Sequence, residues 1–502
     1  MSDLIPRYQF GPDPNKPSGV SSSIERAEGL GGRLKAPKAE SYRRALSTIE
    51  ARATPHVARL MLASDLAYVM SAAEIGLTPP KEARALIGCL VELLTDADHF
   101  LGRPSSVDVV IQREAWVAER VGDEAAAWLH LGRNRGESIR GYLPRMFFRA
   151  TLFQARGALL ELVGALSDRA ADTLDAPAPV YHHLQHAGVT TLGEWLLSYA
   201  ANLLPHIERL KQAADRLDIA PPLMNGRPEW IDLADRVRRR LGFSRIARLR
   251  QQIHVTEDHF AEPLFALVLL NVAEARLAED LRLYSTSEFA FFEVADAHAS
   301  GSSLLPHKKN PFGLQAVIGG AAMGVGRLAG QLAANVSLSE ELDAVFHAGS
   351  AYEYATDVVA WSHFMAEVIK HGRFDLEELR RKAAAPYACS SEALDILVVE
   401  AGMPFRKAHH MLGAAVRAHI DGAKDDPMAE LRKAAPSVDF ERVQRVLDGK
   451  EFPDICLNVP ASSAALQEIR SAVDEERRST PDANPVEATI SALCLEAQAW
   501  KH

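Results

Sequence analysis

Apolar residues recur at helical spacing along most of the chain, from about Tyr42 onward, and the alternation expected of strands is rare. The segment that begins at Leu152 shows the pattern. Leu152, Leu159, Leu162 and Leu166 fall on one helical face, and charged residues fall elsewhere. Each such segment can bury one face and leave the other in water. The pattern therefore predicts an all-α fold.

Four stretches keep the helical pattern for longer than an ordinary helix, at residues 191–217, 259–284, 311–335 and 340–371. Helices of this length pack side by side in bundles. The stretch 311–335 is also rich in glycine and alanine, and small residues allow a neighbouring helix to approach closely. We therefore predict a long central helical bundle.

The chain outside the bundle divides by composition. Residues 374–420 return to shorter helices, and residues 421–465 contain enough Gly, Asp and Pro to form a loop-rich region. Residues 474–487 are expected to be a linker before a final short helix at 486–500. We expect an N-terminal helical unit with an extended arm, the central bundle and a C-terminal helical unit, at residues 1–130, 131–372 and 373–502 respectively.

Charge and cysteine usage exclude several classes of protein. The formal net charge of −10 comes from acidic and basic residues mixed throughout, without a basic stripe that could follow a phosphate backbone. Cys89, Cys389, Cys456 and Cys494 show no Cys-x-x-Cys spacing, which argues against disulfides and structural zinc. The most apolar run, Leu264–Ala273, is too short to cross a bilayer. We expect a cytoplasmic protein that binds neither nucleic acid nor membrane.

Residues 301–311 read Gly-Ser-Ser-Leu-Leu-Pro-His-Lys-Lys-Asn-Pro and carry the strongest chemical signal. Removing a weakly acidic C–H proton beside a carboxylate requires a base and fixed positive charge. Ser302 and Ser303 follow a flexible glycine, and Lys308 and Lys309 bring two cations. A serine is a poor base in water, but lysines and backbone donors can stabilise its alkoxide where solvent is excluded.

The end of this loop predicts a helix start. Asn310 is a favoured N-cap residue and Pro311 suits the first helical position, so the free N–H groups of the helix would face the loop and attract anions. On composition alone, a Gly-Ser turn followed by solvated lysines and a capped helix is the favoured interpretation of the segment.

The complete string decides between these readings. It resembles the signature of the fumarase, aspartase and argininosuccinate lyase superfamily, Gly-Ser-Ser-x-Met-Pro-x-Lys-x-Asn-Pro, with Leu305 in place of Met. Other segments are similar to the argininosuccinate lyase branch and follow its order along most of the chain; they lie at residues 130–135, 181–186, 276–281, 285–289 and 402–409. The resemblance implies a three-domain superfamily fold with a long central helical bundle.

The resemblance also assigns residue roles. The catalytic serine of the family falls on Ser303, its active-site lysine on Lys309 and its catalytic histidine on His183. Its succinyl-binding arginine falls on Arg135, whose guanidinium could hold a carboxylate through two hydrogen bonds. The further residues expected to contact substrate are Arg133, Asn134, His182, Gln185, Ser302, Lys308 and Asn310.

By this resemblance the chain is expected to be a cofactor-independent lyase that cleaves an N-substituted aspartate reversibly to fumarate and an amine. Its partners would be a small dicarboxylate substrate and further copies of the chain, in a homotetramer whose active sites are shared among three subunits. Argininosuccinate is the default substrate, and an aminopolycarboxylate such as an N-succinyl diamine is the rival. Fumarase-like C–O elimination ranks lower, and a non-catalytic relative of the crystallin type is the alternative from another class.

Several substrate-facing positions depart from the argininosuccinate lyase pattern, namely Asn134, Gly136, Glu137, Ser138, His182, Gln315 and Leu342. Gln315 replaces a Glu that pairs with the catalytic histidine, and Leu342 replaces a Lys that helps to hold the arginine part of the substrate. Since Ser303, Lys309 and Arg135 are kept, we expect the elimination reaction to be retained with a different leaving group.

Two cofactor hypotheses carry less weight. His182 and His186 have the spacing of one helical face and could hold a metal, but Pro177 and Pro179 indicate a loop without a nearby carboxylate. A glycine pattern beginning at Gly324 faintly resembles a dinucleotide fingerprint, but its last interval is too long and no strand precedes it. We expect neither a metal nor an organic cofactor.

Overall fold

The computed structural model describes residues 39–95, 109–133, 136–223, 227–249, 252–336, 344–422, 426–453 and 457–501. Its helices are α1 Glu40–Glu74, α2 Pro80–Thr95, α3 Val109–Val121, α4 Asp123–Ala126, α5 Leu143–Ala171, α6 Leu192–Arg216, α7 Pro228–Arg240, α8 Gln252–Val255, α9 Asp258–Tyr284, α10 Phe312–Asn335, α11 Ala344–His371, α12 Leu376–Ala383, α13 Ser390–Val399, α14 Phe405–Ile420, α15 Ala429–Ala434, α16 Phe440–Leu447, α17 Val459–Ser479 and α18 Pro485–Gln498. A π-helical segment, Glu137–Tyr142, leads into α5, and 3₁₀ turns lie at Asp296–His298 and Ala499–Lys501. The predicted all-α fold is confirmed.

The strands are short and pair in twos: β1 Pro177–His182 with β2 Gln185–Thr191, β3 Ile219–Ala220 with β4 Arg245–Ile246, β5 Phe292–Glu293 with β8 Arg373–Phe374, and β6 Ser300–Gly301 with β7 Lys309–Asn310. Only the β3–β4 pair is parallel. The β1–β2 hairpin corrects the sequence analysis, which predicted a loop at Pro177 and Pro179.

Five long helices, α5, α6, α9, α10 and α11, form the central bundle. Four of them, α6, α9, α10 and α11, lie at the four predicted stretches, although residues 340–343 of the last stretch are outside the described residues. Leucines such as Leu159 and Leu267 are fully buried between them, and α1 packs against α11 and α5. The core is thus continuous from α1 through the bundle.

The C-terminal part of the chain contributes to two separate cores. Helices α13 to α16 bury their own apolar cluster around Leu397 and Val443, whereas α17 and α18 insert Ile469 and Ile490 into the bundle core. Residues 373–502, expected to form one unit, are therefore divided between the two clusters. The predicted linker at 474–487 is wrong in its first part, because α17 continues to Ser479.

Glycines on one side of α10 allow close contact with α11, as the sequence predicted. A Cβ added at Gly320 would stand 2.2 Å from Cη2 of Trp361, and one at Gly324 would stand 2.1 Å from the Tyr354 hydroxyl oxygen. Neither distance is possible for a real side chain. Glycine is therefore required at both positions by the packing of α11.

The other side of α10 is apolar and exposed, at Phe312, Met323, Val325 and Leu332, and exposed Val336 follows the helix. Among the described residues, α10 is the one helix long and apolar enough to cross a membrane, but a single such helix is weak evidence. An exposed apolar face of this kind marks a contact with another protein surface as readily as one with lipid.

Candidate active site

The loop at 301–311 stands on a fixed base. Ser300 and Gly301 of β6 pair with Asn310 and Lys309 of β7, and the Asn310 side-chain amide donates to the Gly301 carbonyl oxygen at 3.2 Å. The predicted N-cap role of Asn310 is wrong, because α10 begins at Phe312 and Pro311 occupies the cap position. Asn310 closes the loop instead of capping the helix.

The loop presents Ser303 to solvent. The Ser302 hydroxyl oxygen accepts hydrogen bonds from the backbone N–H groups of Leu305, at 2.9 Å, and Leu304, at 3.3 Å, and so holds a tight turn. Ser303 is exposed, and its hydroxyl has no hydrogen-bond partner among the residues that the structure describes. The apolar side chain of Leu304 is 82% exposed beside it. An exposed leucine and an unpartnered serine on a closed loop suit contact with a further surface.

The two lysines of the loop differ in their partners. Lys309 Nζ lies 2.6 Å from a carboxylate oxygen of Asp296 and 3.1 Å from one of Glu293, and these acids raise the pKa of Lys309. Lys308 is exposed and has no side-chain partner in the described part of the chain. Sequence reasoning missed both acids, because ion pairs between separate loop segments leave no spacing signal.

His183 lies at the tip of the β1–β2 hairpin. His183 and Leu184 form a two-residue turn with φ of 52° and 58°, a left-handed conformation that non-glycine residues adopt at a cost. His182 and Gln185 form the last pair of the ladder beside it, and the His182 and His183 rings are 4.2 Å apart. Strained backbone of this kind is common at functional sites. The hairpin therefore exposes His183 as the loop exposes Ser303.

Aromatic packing holds the hairpin in place. The Tyr181 ring lies 5.3 Å from Phe289, and its hydroxyl is 3.0 Å from Nε2 of His186. Val189 on β2 is buried in the second apolar cluster. The base of the hairpin is thus fixed by two cores while its tip is exposed.

Arg133 is placed differently from the other expected substrate ligands. Its guanidinium is buried, bonds Asp65 on α1 and lies 4.2 Å from the centroid of the Tyr68 ring. Arg113 bonds the same carboxylate oxygen at 3.1 Å. This geometry favours a structural role, because the Arg133 guanidinium is buried and bonds both Asp65 and the backbone carbonyl oxygen of Leu129. Asp65 gave no sequence signal for this pairing.

Within the described part of the chain, the remaining predicted residues do not form one cluster. Asn134, Arg135 and Leu342 lie outside the described residues, and Gln315 is exposed near the start of α10. No hydrogen bond or ion pair joins the loop at 301–311 to the hairpin tip within the described part of the chain. The structure therefore places the predicted base and the predicted acid on separate exposed projections.

The described residues contain no group of three or more His, Cys, Asp and Glu side chains that could hold a metal ion. His186, part of the alternative metal hypothesis, contacts Tyr181 instead. Cys89, Cys389 and Cys494 form no disulfide within the described residues, and Cys456 lies outside them.

Two protein-family models match this chain. A family model described as "Lyase" matches residues 43–326, and one described as "Argininosuccinate lyase C-terminal" matches residues 387–452. Argininosuccinate lyase of Moorella thermoacetica is 30% identical over 71% of this chain and 77% of its own length. That of Methanoculleus marisnigri is 29% identical over 88% of this chain and 93% of its own length.

A solved structure shows the same fold. A variant of EDDS lyase with bound fumarate superposes with a TM-score of 0.76 at 23% identity, covering 96% of this chain and 99% of its own. The bundle and the Gly-Ser-Ser loop together define a helical lyase of the fumarase and aspartase superfamily. The chain belongs to the argininosuccinate lyase family and is a carbon–nitrogen lyase.

Proposed function

We propose that this chain cleaves an N-succinyl amine, an N-substituted aspartate, by β-elimination to fumarate and a free amine. The loop at 301–311 carries the proposal, because its closed base presents Ser303 beside two lysines. The family match supports the same chemistry. The reaction needs no resident cofactor, and the family's pattern is consistent with a cytoplasmic enzyme.

In the proposed mechanism the Ser303 alkoxide removes the proton from Cβ of the succinyl group. The electron pair is held in an aci-carboxylate that Lys309 and Asn310 stabilise, and Arg135 holds a carboxylate of the substrate. Collapse of this intermediate forms the C=C bond of fumarate and breaks the C–N bond, and His183 donates a proton to the leaving amine. Asp296 and Glu293 fix the position of the Lys309 charge, whereas the Lys308 charge is free to meet substrate.

Release of fumarate tests the proposal directly. The purified full-length chain is expected to release fumarate, followed by ultraviolet absorbance, from at least one member of a panel containing argininosuccinate, N-succinyl amino acids and N-succinyl diamines. The reverse reaction, from fumarate and the matching amine, is expected to proceed as well. If a well-folded oligomer released no fumarate from any of these compounds, the non-catalytic alternative would replace the proposal.

We further propose that the active site is completed by other copies of the chain in a homotetramer. Ser303 and His183 are exposed on two different turns, and no contact joins them among the described residues, which supports a site completed by another copy of the chain. The exposed apolar face of α10 supplies a surface that a second bundle could cover, and neighbouring α9 adds exposed Phe265. Burying such a face is the usual source of stability in a permanent oligomer.

Charge introduced on this face tests the assembly. Val325 is 53% exposed in the single chain, so Val325→Glu is expected to leave the chain folded but to prevent helix contact between copies. We expect a shift from tetramer to smaller species by light scattering, with loss of most fumarate release. Ile231→Glu on α7, which is 63% exposed, is the matched control and should keep both properties. An active monomer would contradict the shared site.

A further inference from the structure

A cavity of about 370 Å³ lies at the junction of the start of α5, the end of α6, the β3–β4 pair and the start of α9. It is separate from the loop at 301–311 in the same chain. The side chains that decide its chemistry are Arg145, Arg216, Arg245, Asp258, His259 and Glu262.

Two buried polar atoms of the cavity lining have no partner. Arg145 is 7% exposed and His259 is 8% exposed, and both Nε of Arg145 and Nε2 of His259 make no hydrogen bond. Arg145 uses Nη1 to donate to the backbone carbonyl oxygens of Arg140 and Gly141, at 3.0 and 2.9 Å. Buried groups left unsatisfied in this way require an explanation, and a bound ligand is one.

Arg145 is also a buried cation without an acid. No carboxylate among the described residues pairs with it. Burial lowers the pKa of Arg145 to about 10, so the guanidinium is still charged at neutral pH. An unpaired buried charge is costly. A ligand that brings a negative charge to Nε would remove this cost.

His259 offers a hydrogen-bond acceptor to a ligand, whereas Arg145 offers a donor. The backbone carbonyl of Arg140 accepts a hydrogen bond from the ring, so the proton lies on the nitrogen that faces this carbonyl. Burial first, and then the charge of Arg145, hold the pKa of His259 well below its usual value, so the ring stays neutral. Its Nε2 is consequently a bare acceptor, which an N–H donor would satisfy.

The charges at the rim of the cavity balance, so the buried Arg145 leaves the whole lining positive. Arg216 bonds Glu262 at 2.5 Å, so these two charges cancel. Arg245 donates to the backbone carbonyl oxygens of Asp215 and Asp218, at 2.7 and 3.2 Å, and has no carboxylate partner in the described part of the chain. Asp258, also in the lining, contributes one negative charge. With Arg145 added, the lining favours an anion that also carries a donor.

We propose that this cavity binds an aminocarboxylate, with the carboxylate on Arg145 and an N–H group on His259. The identity of the ligand rests on the proposed function: it is the amine part of the substrate. That amine would therefore carry its own carboxylate.

The position of the cavity fits an active site shared between chains. Gln331, in the last turn of α10, donates to Glu257 just before α9, at 3.2 Å, so the cavity lies near the C-terminal end of α10. The loop that carries Ser303 precedes the N-terminal end of the same helix. These ends are roughly 30 Å apart along the helix. A small substrate can reach both groups only if they come from different chains, as antiparallel contact of α10 helices would allow.

Calorimetric titration of the full-length protein tests the cavity without relying on turnover. The probes are norvaline, pentanoate and pentylamine, which share five carbons but carry both groups, the carboxylate alone or the amine alone. We expect norvaline to bind most tightly, and Arg145→Met to weaken it about 10- to 100-fold. Arg470→Met, which removes a surface partner of Asp168, is the matched control and should bind as the wild type does.

A second variant covers the case in which Arg145→Met does not fold. Arg245 lies at the exposed rim, so Arg245→Gln should fold and should weaken norvaline binding several-fold. Absence of norvaline binding to the wild type, or equal binding by the folded Arg145→Met variant, would overturn the proposal.

A competition experiment tests whether the carboxylate bound by Arg145 belongs to the amine part of the substrate. Norvaline should compete with N-succinyl-norvaline, and Arg145→Met should raise the KM for this compound but not for N-succinyl-pentylamine. Norvaline binding that does not compete would overturn the assignment to the substrate. If no compound releases fumarate but norvaline still binds through Arg145, the proposed reaction fails while the binding cavity stands.

Discussion

Replacing Ser303 with alanine is expected to lower kcat for fumarate release by about 10²- to 10⁴-fold, the range typical of a positioned proton-transfer group. The variant removes one oxygen atom from an exposed side chain that bonds no other described residue, so the fold and the oligomer should be unchanged. Steady-state kinetics, with circular dichroism and light scattering on the same samples, measure both outcomes.

Ser302→Ala is the matched control for this experiment. The Ser302 hydroxyl oxygen accepts from Leu304 and Leu305, so its loss loosens the turn without removing the proposed base. We expect a smaller decrease in kcat, together with a higher KM. Unchanged turnover in Ser303→Ala would eliminate the assigned base, and a larger loss in Ser302→Ala would transfer the role to that residue.

Replacing Glu274 with glutamine is expected to stabilise the protein at alkaline pH. Glu274 lies on α9, completely buried, with Ser362 of α11 2.5 Å from its carboxyl oxygen Oε1. Burial raises its pKa to about 8. The Ser362 hydroxyl is also 3.0 Å from the Val358 carbonyl oxygen, and when it donates there a protonated carboxyl can donate to it. The amide of glutamine can replace that donor.

The sign of the effect follows from proton binding. Between the usual glutamate pKa of 4.5 and about 8, the native state holds a proton that the unfolded state has released, so stability falls as pH rises. The full loss, above both values, is up to about 5 kcal/mol. Glu274→Gln should therefore match the wild type near pH 4.5 and exceed it by several kcal/mol above about pH 8.

Urea unfolding across this pH range, at one protein concentration, measures the difference. Glu430→Gln, which removes an exposed carboxyl on α15 that pairs with Lys433, is the matched control and should keep the wild-type dependence on pH. A Glu274→Gln variant with the same pH slope as the wild type would show that Glu274 is ionised in the folded chain.

The sequence predicted the long helices accurately, within a residue or two for α6, α9 and α10. The sequence did not predict the hairpin at 177–191, because its turn, His183-Leu184, lacks the Asn-Gly or Asp-Gly pair that usually marks such turns. The cap at Asn310 was wrong because pairing of β6 with β7 offers its side chain a nearby carbonyl group.

Local sequence was sufficient to predict the helical class and to propose chemistry at the loop of residues 301–311, because helical periodicity and a contiguous motif are both properties of neighbouring residues. Only the tertiary structure showed that Arg133 bonds Asp65, that Glu274 is buried against Ser362, and that Arg145 and His259 line one cavity. A polar side chain takes its charge state and its role from groups that folding brings beside it, and these groups are often far away along the chain. The proposed division of the site between chains also depends on tertiary structure, since the distance from the Ser303 loop to the cavity is set by the length of α10.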